Sequence, residues 1–137
     1  MVYEWLGPQR TLVSIAGREP TSDEDWLGYM DTVRNHVDED MCVLAISVGA
    51  LPNRAQQSQL MALPNHHKRR VAVINDSIAI RFIISVFLLA APQLKLFSPA
   101  QLNEAIVFLG HDAADAAVVR ACVERLRQRL KTSARAA

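Results

Sequence analysis

Glycine is scarce in this chain, five among 137 residues. None of the five builds a G-x-x-x-x-G-K or G-x-G-x-x-G pattern at a strand-to-helix turn, which excludes the standard nucleotide cradles. Cysteine is scarcer still. Cys42 and Cys122 are far apart and each sits in apolar surroundings, so they read as buried thiols of a reducing compartment rather than a disulfide scaffold or metal pair. C-x-x-C, H-E-x-x-H and calcium-loop patterns are all missing, so no metal and no cofactor is expected. Neither sign of charge dominates: 15 Lys and Arg face 14 Asp and Glu. Nothing in that balance pulls the molecule toward nucleic acid or an anionic membrane. Aromatics do not interleave the basic clusters Lys68-Arg69-Arg70 and the arginines of the last helix, as a single-strand binder would require. Both clusters read as solvated, one as a loop and the other as a helix end matched to its dipole. The longest apolar run, 78 to 91, is interrupted by Arg81 and falls short of the roughly 20 residues a spanning helix needs. Met1 leads into Tyr3, Glu4 and Trp5 rather than a basic and then apolar leader, so the expectation is no signal peptide and a cytoplasmic location.

What is present is a regular alternation. VYEWL, the turn Gly7-Pro8-Gln9 and TLVSIAG read as two strands. Thr21 with Glu24 matches a capping box, and Trp26, Met30, Val33 and Val37 follow as one apolar helical stripe. MCVLAISVGAL is a strand buried on both faces. A short polar helix starts at Pro52-Asn53 and runs through Leu60. VAVIN is the next strand, the apolar helix 78 to 91 follows, and LKLF is a fifth strand. Ser98, Pro99 and Gln101 open a helix with inner residues Leu102, Ala105, Ile106 and Leu109, closed by Gly110. A last helix from about Asp112 to about Lys131 carries the stripe Val119, Cys122, Val123, Leu126 and Leu130. Alternating strands and helices imply one α/β domain with a mostly parallel sheet of about five strands.

Ligands of such folds gather at the carboxyl ends of the parallel strands. That places Asn53, Arg54, Asp76 and Ser77 at a candidate ligand or partner edge. Asp76 and Ser77 are also favoured helix caps, and Arg54 on a polar helix also reads as simply solvated. Ser47 reads as a hydroxyl bonded to backbone. The histidines His36, His66, His67 and His111 sit at a helix end, in a loop and at a helix start, away from the strands' carboxyl ends. No nucleophile, base and orienting group converge, so no catalytic residue is assigned and the chain is expected not to be an enzyme. The helix 78 to 91 is apolar almost all round and needs cover on both sides. Its own domain can supply that cover, and so can a second copy or an apolar ligand. Phe82, Ile83, Val86 and Phe87 are the candidate anchors of a homodimer contact.

RRVAVINDSIAIRF followed by LKLFSPAQLNEAIVFLG resembles the SpoIIAA-like (anti-sigma-factor-antagonist-like) branch of the STAS superfamily, over about Val2 to Gly110. The resemblance implies a four- to five-stranded mixed sheet with packed helices over residues 1–110. The C-terminal helix, 111–132, is then an addition to the same domain and 133–137 a disordered tail. It also implies no catalysis. With the apolar helix 78 to 91, the expectation is a non-enzymatic protein-interaction or regulatory module, self-associating, with a lipid or small anionic ligand at the strand ends as the alternative role. Anti-sigma antagonists carry a regulatory serine after their third strand. The matching place here reads VGALPNRAQQ, without serine, so the phosphorylation switch does not carry over, and Asp76-Ser77 belongs to the next junction.

Overall fold

The computed structural model describes residues 1–37, 40–64, 69–77 and 93–136, with side chains through 133. The expected helix 78 to 91, with Phe82, Ile83, Val86 and Phe87, and the loop histidines His66 and His67 lie outside the described residues. Strands β1 (Val2–Leu6) and β2 (Thr11–Ala16) form an antiparallel hairpin. Its turn closes through Arg10 N–H to Gly7 O at 3.0 Å, with Arg10 at φ 49°. Strands β3 (Cys42–Ser47), β4 (Val71–Asn75) and β5 (Leu94–Phe97) then add in parallel, giving one five-stranded mixed sheet in the order β1-β2-β3-β4-β5.

Period-two alternation divides the strand residues between two cores. On one face, helix α1 (Asp23–His36) packs Trp26, Tyr29, Met30 and Val33 against Leu12 and Val43. Helix α2 (Arg54–Met61) joins the same side, tied to α1 by Trp26 Nε1–H donating to Gln59 Oε1 at 2.8 Å. Burial pushes the Tyr29 hydroxyl's pKa up. On the other face, a 3-10 turn (Pro99–Gln101), helix α3 (Leu102–Phe108) and helix α4 (Ala113–Ala136) cover Val13, Ile15, Leu44, Ile46, Ala72 and Ile74. Val119, Cys122, Val123 and Leu126 of α4 are fully buried there. The molecule is therefore a three-layer α/β/α domain.

Two local details differ from the sequence reading. Ser22, not Thr21, caps α1, accepting from Asp25 N–H at 3.2 Å. Tyr29 joins the buried stripe of α1, while Val37 is only half-buried at its C-cap. The Ser98-Pro99-Gln101 start is as expected, with Ser98 N–H donating to Gln101 Oε1 at 2.9 Å. Gly110 closes the segment at φ 91°, a conformation that costs glycine nothing and a β-carbon residue strain.

Candidate ligand cleft

At the carboxyl ends of β2, β3 and β4 the chain leaves the sheet in three successive loops. Beside them the last turns of α4 run past the sheet edge. Between the two lies a cleft of about 1000 Å³. Ile15, Ile46 and Ile74, themselves buried, underlie its floor, and Leu130 and Val48, which is 41% exposed, contribute its apolar surface. These are the side chains where the core between sheet and α4 runs out, so the cleft is the open end of that core. The charges around it separate by element. Glu19, Asp25 and Asp76 come from the strand-end loops and α1, Arg127 and Lys131 from α4, and Arg18 follows β2. Arg127 lies 3.5 Å from Glu124, whereas Arg18 and Lys131 have no ion pair among the described residues.

Of the four residues placed at this edge by sequence, the cleft takes one. Asp76 lines it. Asn53 instead caps α2 in a reciprocal pair with Gln56: Gln56 N–H donates to Asn53 Oδ1 at 2.8 Å and Asn53 N–H to Gln56 Oε1 at 2.9 Å. Arg54 is the first residue of α2, exposed and away from the cleft. Ser77 is half-buried, and its N–H donates to Asn75 Oδ1 at 2.7 Å. The turn after β4 is thus built by Asn75, one residue before the pair that the sequence singled out. Ser47 behaves as expected, its hydroxyl donating to Ala50 O while accepting from Gly49 N–H.

No protein-family model, curated protein or solved structure matches the chain. Residue chemistry alone therefore carries the functional argument. Among the described residues no three His, Cys, Asp or Glu side chains group as metal ligands, and no helix is long and apolar enough to cross a membrane.

Asn75 has a feature that no local pattern signals. It is 0% exposed, and Ser77 N–H fixes which end of its amide is the oxygen. Its Nδ2 then has no hydrogen-bond partner among the described residues. An unmet buried donor costs about 1–3 kcal/mol, so the end of β4 is held in place against a local penalty. By alternation with Ala72 and Ile74, Asn75 faces the α1–α2 side, next to Ser47 in the sheet register.

At the opposite end of the sheet the register sets Thr11 beside Cys42. Thr11 Oγ1 lies 3.2 Å from Cys42 Sγ and 2.8 Å from His111 Nε2, and it donates to Gln9 O at 2.8 Å. A hydroxyl has one proton to give. With that proton on Gln9 O, the oxygen is left to accept from a His111 Nε2–H and from the Cys42 thiol. Burial, more than any other cause, pushes the Cys42 pKa up in the same direction. The arrangement holds a neutral thiol rather than an activated nucleophile.

Proposed function

We propose that the chain is a non-enzymatic binding module of the STAS/SpoIIAA-like kind, whose ligand is a small apolar molecule with a charged head. The ligand occupies the cleft at the carboxyl ends of β2, β3 and β4. The observation that carries this reading is the cleft's composition: Val48 and Leu130 over a floor that is the buried edge of the core, walled on one side by Arg127 and Lys131. Its size is at the upper end of ordinary small-molecule sites, which run about 300–1000 Å³. A mixed five-stranded sheet covered by helices supports the kinship, since that is what the resemblance implies. Between the two roles raised by the sequence, this favours the lipid or small-anion binder. The interaction role placed on Phe82, Ile83, Val86 and Phe87 rests on residues outside the described set.

Isothermal titration with dodecanoate, a single-chain carboxylate, tests the reading. Saturable binding is expected, weakened at least tenfold by Val48→Asp, which puts a charge on the exposed part of the apolar surface. Reversing the wall with Arg127→Glu and Lys131→Glu should weaken dodecanoate more than dodecanol. Absence of binding, or equal binding by wild type and Val48→Asp, refutes the cleft as the site.

A further inference from the structure

The charges that line the cleft are of both signs, and several are already answered. The Met1 ammonium lies 3.5 Å from Asp25, and Glu124, outside the cleft, lies 3.5 Å from Arg127. Arg18 and Glu19 are consecutive and opposite in one exposed loop, so their effects on a group in the cleft largely cancel. What remains is Lys131 on α4 and Asp76 after β4. Both are exposed, and neither has an ion pair among the described residues. The Asp76 carboxylate has no hydrogen bond there either.

These two charges stand at different strands. Leu130 Cδ1 is 3.9 Å from the point that a β-carbon on Gly17 would occupy, which sets the last turns of α4 over the end of β2. Asp76 follows the end of β4, two strands further along the sheet. Neighbouring strands are about 4.8 Å apart, so the backbones that carry the two poles are about 10 Å apart. Between them ends β3, followed by the exposed Val48. The positive pole lies beside the apolar surface of Leu130, since Lys131 is its neighbour and Arg127 comes one turn before it. The negative pole lies across the cleft.

This separation discriminates between heads. A purely anionic head is attracted by Lys131 and repelled by Asp76, and a purely cationic head meets the reverse. Only a head that carries both charges along its length is attracted at each end.

We propose that the cleft selects zwitterionic amphiphiles. The single apolar chain lies over Leu130 and Val48, an anionic group beside the chain meets Arg127 and Lys131, and an ammonium group further out reaches Asp76. The inference rests on the cleft being the ligand site, and it narrows the head from charged to dipolar. A phosphodiester joined to a quaternary ammonium by a short spacer has this chemistry.

Isothermal titration with probes of one chain length, below the concentrations at which they form micelles, tests this. Dodecylphosphocholine carries both charges, dodecyl methyl phosphate has the same phosphodiester without the ammonium, and dodecanoate reports on the cleft itself. Dodecylphosphocholine should bind about two- to fivefold tighter than dodecyl methyl phosphate, the effect of one exposed ion pair. Salt should shrink that ratio, because exposed charges are screened over about 8 Å at physiological ionic strength and about 3 Å at 1 M. Asp76→Asn should abolish it, by weakening dodecylphosphocholine and strengthening dodecyl methyl phosphate, and Asp76→Lys should invert the order. Circular dichroism checks that both variants fold, and the wild-type ratio and its salt dependence stand without them. Equal binding of the two phosphodiesters by wild type, or a ratio that survives Asp76→Asn, overturns the dipolar head while dodecanoate binding leaves the cleft as the site. Loss of all three probes, dodecanoate included, overturns both. Free phosphocholine that binds as tightly as dodecylphosphocholine overturns the amphiphile, since the head alone would then be the ligand.

Discussion

Replacing Asn75 by aspartate puts the buried end of β4 under a direct electrostatic test. Asn75→Asp keeps the oxygen that accepts from Ser77 N–H and replaces Nδ2, which meets no acceptor among the described residues, by a second oxygen. The position is 0% exposed, so ionising the carboxyl there is opposed by desolvation. Full burial raises a carboxyl pKa by up to about 3–5 units, and the one retained N–H bond offsets part of this. A net rise of about 2–4 units is worth about 3–5 kcal/mol. The sign follows from linkage. Below the unfolded pKa of about 3.9 the group is protonated in both states and the variant loses little. As pH rises, the unfolded chain ionises first, and the penalty grows until the folded pKa is passed, after which it stays constant. Urea unfolding of variant and wild type at pH 4 and pH 8, followed by circular dichroism, should show the stability difference growing by about 3–5 kcal/mol between the two. Against a usual total of about 5–15 kcal/mol, the variant would be marginal at pH 8. Asn75→Val, which removes the orphan donor and introduces no charge, should show no such pH term. A stability difference for Asn75→Asp that is the same at both pH values refutes the burial argument.

Two further outcomes follow from the cores and the thiols. Leu126→Ala, at a fully buried position of α4, should cost about 2–5 kcal/mol in urea unfolding; a loss below about 1 kcal/mol would mean that α4 is not packed as described. Burial pushes the Cys122 thiol up to about 11 and Cys42 in the same direction, so iodoacetamide at pH 8 should modify neither cysteine in the folded protein and both in urea. Rapid labelling of native Cys42, read by mass spectrometry, would contradict its burial as a protonated thiol.

Periodicity made most of the fold legible. The strands VYEWL, TLVSIA, VAVIN and LKLF divide their side chains between the two cores by alternation, and the α4 stripe buries one face at helical spacing. The cap of α1 was ambiguous for a physical reason: Thr21 with Glu24 and Ser22 with Asp25 both fit the pattern, one residue apart, and neither changes which side chains face the core. The site was less legible. Asp76 could be found because it ends a parallel strand. The basic wall could not, since Arg127 and Lys131 meet the strand ends only through the packing of α4 on the sheet. The Thr11, Cys42 and His111 cluster likewise depends on strand register and on the α3–α4 connection, neither of which leaves a mark in local spacing.

The strand order explains why the last helix cannot be an accessory. Parallel strands that follow one another along the sheet, joined by right-handed crossovers, send their connecting helices to a single face. Helices α1 and α2 do share one face. The opposite face, with Val13, Ile15, Leu44, Ile46 and Ile74, is then left for whatever follows the last strand. Helices α3 and α4 fill it, and Val119, Cys122, Val123 and Leu126 are as buried as any strand residue. The resemblance read from sequence stops near Gly110, but the core does not. The last turns of α4 then also supply a wall of the cleft. One topological choice thus accounts for the second core and for the open end of that core.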